Sequence, residues 1–221
     1  MAGGRDFLLT VWDDHDIGHP DGSWSFMCGQ ARTEDDEQQA FVRVLLPLDR
    51  DLDTLLDFAR AIADSAEFSS GHAGLSYVFD PDLAADALDA FYALAKRYWG
   101  IDVAELDAPL AVVAERIKGV DWLTLLGDDL LPPVADELGA LAREADIGVE
   151  RHTHGVLIRA GAEPHPGDQN RKASSPDAYR RVARAIAPLF PDEFPDLGGE
   201  KFIDTGDTLA WVRRFIDPAG W

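Results

Sequence analysis

Residues 117–131 read IKGVDWLTLLGDDLL, and the prediction of the fold begins from this stretch. It contains a short, nearly continuous apolar run between two glycines. That run is too short for a helix with an exposed face of its own, so it predicts a buried strand or a strand followed by a turn. Its apolar members are Val120, Trp122, Leu123, Leu125 and Leu126. Because other elements pack against a strand that is buried on both sides, we expect this stretch at the centre of the core.

Patterns on either side of this stretch predict further strands and helices. Alternating apolar residues predict strands over residues 7–12, 24–30, 41–47 and 75–79, and either one bent strand or two short strands over residues 149–161. Apolar residues three and four positions apart predict helices over residues 53–68, 81–100, 133–145, 176–189 and 207–216. This order predicts an α+β fold, with a mixed or antiparallel sheet and helices packed against it in a single domain, residues 1–221.

Two expectations concern individual side chains. Residues in the centres of the predicted strands should be largely buried: Tyr77, Phe79, Trp122, Leu125, Leu157 and Ile158. His72 follows Ser69, Ser70 and Gly71, so we expect it to be a loop residue that binds backbone groups.

The charge is strongly acidic and uneven along the chain. There are 41 acidic and 20 basic residues, which give a formal net charge of -21 and a pI near 4.4. Residues 1–140 hold 28 acidic and nine basic residues, whereas residues 141–221 hold 13 and 11. Such a chain repels nucleic acid and anionic membranes and attracts cationic partners. We therefore predict an acidic face that binds a basic protein, and neither a nucleic acid nor a membrane as partner.

Two predicted loops carry acidic residues that no helix cap or helix dipole explains. They include DDHDIGH at residues 13–19 and RTEDDEQQ at residues 32–39. We predict that the carboxylates of these loops contact the basic partner: Asp13, Asp14, Asp16, Glu34, Asp35, Asp36 and Glu37. For any one of them the alternative is a solvated charged loop residue that binds nothing.

Metal-ligating residue types occur without the spacing that a metal site needs. Asp13, Asp14, Asp16 and two histidines lie in a loop rich in Asp, Gly and Pro, which is typical of ordinary turns. His152 and His154 have the period of two that puts them on one face of a strand, which supplies half of a metal site. The chain has no P-loop, G-x-G-x-x-G, H-E-x-x-H, EF-hand or G-x-S-x-G pattern. We predict no catalytic residues, no cofactor and no metal.

The sequence also bears on the cellular compartment. Cys28 is the single cysteine, so neither an intrachain disulfide nor a cysteine-based zinc site can form. The apolar run near the N-terminus is followed at once by Asp13 and Asp14, unlike a secretory signal. No window approaches the roughly 20 apolar residues of a membrane span. We predict a cytoplasmic protein.

Four blocks of sequence together resemble a family of bacterial type VI immunity proteins. The blocks are SGHAGLSYVFDP (residues 70–81), IKGVDWLTLLGDDL (residues 117–130), GVLIRAGAEPHPGD (residues 155–168) and WVRRF (residues 211–215). Any one block is weak evidence, whereas their shared order and spacing are fairly specific. The chain departs from the expected pattern in the helix over residues 133–145, which has Gly139 alone where the resemblance implies a pair of glycines.

The resemblance implies a protein that binds and neutralises an antibacterial effector toxin. The toxins paired with this family are often nucleases, and no catalytic residues are implied for the immunity protein itself. An acidic inhibitor also suits a nuclease physically, because a nuclease groove is basic and attracts a polyanion. Two alternatives stay open at this point: a small metal-dependent hydrolase, and a regulatory module that binds a cationic protein. The oligomeric state is open as well, a homo-oligomer included.

Overall fold

The structure is a computed structural model that describes residues 8–12, 24–32, 38–49, 51–79, 83–105, 107–171, 175–202 and 205–221. The chain divides into two compact units, Met1–Leu55 and Leu56–Trp221. The assignment of residues 1–221 to a single domain stays a prediction.

The described residues form nine strands and six α-helices. The strands are β1 (Leu8–Trp12), β2 (Ser25–Arg32), β3 (Gln38–Leu45), β4 (Ser70–Ala73), β5 (Leu75–Tyr77), β6 (Ile101–Val103), β7 (Leu123–Gly127), β8 (Ile147–His152) and β9 (Gly155–Ala160). The helices are α1 (Leu52–Ser65), α2 (Ala84–Arg97), α3 (Asp107–Leu110), α4 (Ala135–Leu141), α5 (Asp177–Ala185) and α6 (Thr205–Val212). Single 3-10 turns occupy Asp128–Leu130, Pro132–Val134 and Ala187–Leu189. The predicted α+β class is confirmed.

The first unit is built on a three-stranded antiparallel sheet in the order β1-β2-β3. Its strands coincide with the alternating runs of the sequence, and Val11 pairs with Phe26, which pairs with Val44. Two residues further along each strand, Leu9 pairs with Cys28, which pairs with Val42. Directly paired residues of an antiparallel sheet point to the same side, so these six side chains share one face.

The second unit is built on a four-stranded antiparallel sheet in the order β4-β7-β9-β8. All five residues of β7 are buried, as expected for an interior strand of a sheet with both faces covered. The sequence prediction for residues 117–131 is therefore confirmed. A separate parallel pair joins β5 to β6, with Ser76 opposite Asp102. The two-strand alternative for residues 149–161 is also correct, because β8 and β9 form a hairpin.

Most of the predicted core residues are buried. Trp122 is 1% exposed, and its indole N–H donates to the carbonyl of Gly161 at 3.2 Å. Leu125, Leu157 and Ile158 are buried too. Tyr77 and Phe79 are only partly buried, because they pack against Phe91 of α2 near the surface, with ring centroids 4.8 and 5.9 Å away. Helices add apolar stripes to this core, including Leu56, Ala59 and Ala63 of α1, and Tyr179, Val182 and Ala183 of α5.

Gly127 at the end of β7 is required by a close approach of two backbones. A Cβ atom at this position would lie 1.8 Å from the carbonyl oxygen of Phe68 and 2.9 Å from that of Ser69. The backbone N–H of Gly127 donates to the Ser69 carbonyl at 2.8 Å, which is possible because no side chain separates the two segments. The strand thus ends against the segment that leads into β4.

Within the described residues, no helix combines the length and the apolar character needed to span a bilayer.

Candidate functional site

The second unit contains a small cleft lined by charged side chains that are largely buried. Its lining comes from β4, β6, the segment before β7, and the end of α6: His72, Asp102, Lys118, Gly119, Val120, Asp121, Trp211 and Arg214. Burial of a charge is unfavourable unless it is paired or hydrogen-bonded, so each of these groups needs a partner.

Asp102 and Lys118 form the central ion pair of the cleft. The Lys118 ammonium lies 2.6 Å from Asp102 Oδ2 and donates to the Val103 carbonyl at 2.7 Å. His72 Nε2 lies 3.1 Å from the same Asp102 oxygen. Burial raises the pKa of the Asp102 carboxyl, but the charges and hydrogen bonds of Lys118 and His72 outweigh burial and keep the pKa below its ordinary value. The Asp102 carboxylate is therefore ionised at neutral pH.

His72 differs from its prediction. It lies on β4 rather than in a loop, and it contacts a carboxylate rather than a backbone group. A separate strand, β4, precedes the strand at residues 75–77, because Leu75–Tyr77 pairs with β6 whereas Ser70–Ala73 pairs with β7. That pairing partner lies about 50 residues away in the sequence, where a local pattern cannot reveal it.

Arg214 is the second buried cation of the cleft. Its guanidinium donates to the carbonyls of Trp99 and Trp211, both at 2.7 Å. The Cζ atom of this guanidinium lies 4.4 Å from the centroid of the Trp211 ring. Burial lowers the pKa of Arg214 to about 10, against the opposing effect of Asp102 and Asp121. The group stays protonated at neutral pH, and it joins the end of α6 to the turn after α2.

Asp121 is a buried carboxyl without a close cationic partner. The Trp122 backbone N–H donates to its Oδ1 at 2.8 Å. Burial, and after it the charge of Asp102, raises the pKa of Asp121 to about 8. Gly74 accommodates this carboxyl, since a Cβ atom at Gly74 would lie 2.0 Å from Asp121 Oδ1. Asp121 is thus mainly neutral at pH 7.

This cleft is suited to holding elements together. It has room for about one water molecule. Lys118 and Arg214 each donate to two protein acceptors, which reduces the number of donors left for an incoming anion. The His72 and Asp102 pair resembles part of an acid-base site, but the cleft leaves no space for a substrate beside it. The cluster therefore acts as a polar tie between four parts of the second unit.

His152 and His154 do not share the strand face that their spacing of two residues indicated. β8 ends at His152, and His154 lies in the turn before β9, so the two side chains do not share a strand face. The turn is held from outside the hairpin: Thr153 N–H donates to Asp64 at 3.0 Å, and His154 N–H donates to the Ala63 carbonyl at 3.1 Å. His152 Nδ1 also lies 3.1 Å from Asp64. In the part of the chain that the structure describes, no group of three or more His, Cys, Asp or Glu residues is placed to hold a metal ion.

The predicted partner-binding residues all lie outside the described residues. They fall within residues 13–23 and 33–37, of which the structure gives no account: Asp13, Asp14, Asp16, Glu34, Asp35, Asp36 and Glu37. Their contact with a partner stays a prediction.

A second candidate surface is described, and it lies on the sheet of the first unit. We call it the apolar sheet face and define it by Leu9, Val11, Phe26, Cys28, Val42 and Val44. Leu9 is 44% exposed, Val11 41% and Val42 50%. An exposed sheet face is usually the polar one, so exposed aliphatic side chains in neighbouring strands are unusual.

Comparison with known protein families decides the assignment. The model of the TsiV family, described as type VI immunity for VRR-NUC, matches residues 13–215. The chain belongs to the TsiV family. The family predicted from four short blocks of sequence is thereby confirmed.

A solved structure has a related fold. The chain is similar to the Pseudomonas aeruginosa T6SS protein PA0821, with 25% sequence identity and a TM-score of 0.72. The alignment covers 97% of this chain and 65% of that protein's chain, so this chain spans less than two thirds of its neighbour. No curated protein matches the chain significantly.

The ionisable side chains that line the cleft form one buried cluster: His72, Asp102, Lys118, Asp121 and Arg214. Three of the blocks that resemble TsiV proteins meet at this buried cluster. Residues 70–81 contribute His72, residues 117–130 contribute Lys118 and Asp121, and residues 211–215 contribute Arg214. Sequence analysis did not find this cluster. The sequence did contain one indication of it: Asp102 lies between Ile101 and Val103, and an acid within a short apolar run is expected to be buried and paired. These three blocks thus contribute ionisable residues to the interior of the second unit.

Proposed function

We propose that this protein is an immunity protein that binds and neutralises a cognate VRR-NUC nuclease effector. The observation that supports the proposal most directly is the match of the TsiV family model over residues 13–215. The protein acts by stoichiometric binding, and we propose no catalytic role for it.

The charge of the chain supports a basic partner. A net charge of -21 at pH 7 favours association with a cationic surface, and a nuclease needs a cationic groove to hold phosphates. An acidic surface can therefore occupy a groove that otherwise receives nucleic acid. The proposed steering charges are the loop acids of the sequence analysis, in two groups: Asp13, Asp14 and Asp16, and Glu34, Asp35, Asp36 and Glu37.

We propose the cytoplasm as the site of action. A nuclease is harmful where nucleic acid is present, so its inhibitor has to be present in the same compartment. Whether the inhibitor works as a monomer or as a homo-oligomer has no bearing on this argument.

A nuclease assay with purified proteins tests the proposal. Increasing amounts of the protein are added to a fixed amount of the cognate effector, and DNA cleavage is measured. We expect cleavage to fall linearly and to end near equal molar amounts. Co-expression in bacteria should in parallel restore growth of cells that express the effector.

An unrelated acidic protein of similar size and net charge is the matched control. If this control inhibits cleavage equally well, the inhibition is a general effect of a polyanion and the proposal fails. Complete inhibition at far less than equimolar protein would contradict stoichiometric binding and would indicate enzymatic inactivation of the effector instead.

A further inference from the structure

The sheet of the first unit carries apolar side chains on both of its faces. The apolar sheet face is the more exposed side, with Leu9, Val11 and Val42 between 41% and 50% exposed. The opposite face mixes polar and apolar side chains, and all of them except Leu8 are partly buried: Leu8, Thr10, Ser25, Met27, Gln39, Phe41, Arg43 and Leu45. Besides Gln30 and Ala40, the exposed residues described on the side of the apolar sheet face are the three aliphatic ones named first, whereas a face that met only water would carry mainly polar residues.

The two rows of paired residues make the apolar sheet face continuous. Val11, Phe26 and Val44 form one row across the three strands, and Leu9, Cys28 and Val42 form the next. Neighbouring strands lie about 4.8 Å apart, so each row is a contiguous strip of apolar surface rather than a set of isolated side chains. Contiguous exposed apolar surface is typical of a protein interface.

The charge of the first unit, and the exposed acids described near the end of β3, indicate the kind of occupant. The first unit holds 12 acidic and four basic residues. Among the described residues, Asp49, Asp51 and Asp53 are exposed and closely follow the end of β3. Interfaces combine an apolar centre with a polar rim, and an acidic rim requires a basic counterpart.

The same charge argues against a second copy of this chain as the occupant. Two copies joined by a twofold axis would present the same patch to each other. Their acidic surroundings would then face one another, and like charges that meet in an interface are unfavourable.

We propose that the apolar sheet face is the docking surface for a protein with an apolar patch inside a basic rim. This inference rests on the proposed function, because it assigns the effector as that protein. The apolar contacts hold the complex, while the acidic surroundings select the partner by charge.

A pair of charge-insertion variants tests the docking surface. The first, Val11→Arg/Val42→Arg, places two cations on the apolar sheet face. The matched control, Leu83→Arg/Leu94→Arg, makes the same change at two exposed leucines of the second unit, which are 59% and 39% exposed. Binding of each purified variant to the effector is measured by titration calorimetry, and the melting temperatures of both variants verify that they are folded.

We expect the face variant to weaken binding by about tenfold or more, and the control to change it by less than about twofold. If the parent and both variants bind equally well, the docking surface is overturned while the proposed function stands. If the parent itself fails to bind or inhibit the effector, both proposals fail. A parent that sediments as a dimer, and as a monomer once the face carries Arg, assigns the face to a second copy and also overturns the inference.

Should the double variant fail to fold, the milder Val11→Thr/Val42→Thr replaces it, because threonine keeps the branched shape that suits a strand. Protection of amide hydrogens from exchange provides an independent measurement on the unmodified chain. Effector binding should slow exchange in β1, β2 and β3. Unchanged exchange in all three strands of an effector-bound sample would overturn the docking surface.

Discussion

Lys118 shows how strongly one residue determines the stability of the second unit. Its ammonium group is almost fully enclosed and is the closest cation to Asp102. We expect Lys118→Met to lower the free energy of unfolding by about 3–5 kcal/mol, because it leaves a buried carboxylate with only His72 beside it. Denaturant unfolding of the purified variant measures this loss.

The exposed pair of Arg151 and Asp128 provides the control. Its atoms are also 2.6 Å apart, but its side chains are 57% and 50% exposed. Arg151→Met should cost less than about 1 kcal/mol, since solvent screens an exposed ion pair. Adding Asp102→Asn to Lys118→Met should restore part of the lost stability. Equal losses at the buried and the exposed pair would contradict this account.

Asp121 predicts how stability depends on pH. Its pKa is near 4 in the unfolded chain and is raised to about 8 in the folded one. The folded state therefore binds this proton more tightly, and the stabilisation is complete below about pH 4 and is lost as the pH rises towards 8. The free energy of unfolding changes by at most about 1.4 kcal/mol per pH unit through this one group. Asp102 acts at lower pH, because its pKa lies below the ordinary value and its stabilisation is lost only in acid.

Asp121→Asn removes this titration while keeping an acceptor for the Trp122 N–H. The free energies of unfolding of parent and variant are compared at several pH values between 5 and 7.5. We expect the parent to lose stability relative to the variant as the pH rises. A difference that stays constant over this range would show that Asp121 does not titrate there.

At the scale of elements, the end of β7 requires glycine at position 127. Gly127→Ala should lower the free energy of unfolding by more than about 2 kcal/mol, because its Cβ would overlap the Phe68 carbonyl at 1.8 Å. Gly139→Ala is the matched control: it lies on the exposed face of α4 with nothing within 4 Å of the added atom. This second change should stabilise the protein by about 0.5–1 kcal/mol. Thermal unfolding compares the two, and similar values would contradict the close approach.

Local patterns predicted the elements that bury a regular face. The apolar run before and within β7 located the central strand, and alternation located β1, β2 and the hairpin of β8 and β9. Alternation alone did not decide between one strand and two at residues 149–161, because the turn at Thr153 and His154 is held by Asp64, 89 residues earlier. The buried cluster was missed for the same reason, since its members come from four separate segments. Contacts between distant segments leave little trace in a local pattern.

At the scale of the whole molecule, the charge predicts how association with the effector depends on salt. Steering acts over the Debye length, which falls from about 10 Å at 0.1 M salt to about 3 Å at 1 M. The association rate constant should therefore fall markedly with added salt, while the dissociation rate constant changes less. Surface plasmon resonance at several salt concentrations measures both rate constants.

Reversing Glu34, Asp35, Asp36 and Glu37 to Lys tests which acids steer. This variant should associate more slowly at low salt and melt close to the parent temperature. The control reverses the same number of exposed acids in the second unit: Asp129, Asp136, Glu137 and Glu163. If both variants slow association equally, the net charge governs steering and the loop has no special role.

The buried cluster also affects when, during synthesis, the second unit can finish folding. It joins His72 to Arg214, so it is incomplete until the ribosome has released the segment around residue 214, although Asp102, Lys118 and His72 can pair before then. Folding that depends on such distant contacts is slow compared with the folding of local helices. A nascent chain therefore cannot complete the core of the second unit until this segment emerges from the ribosome.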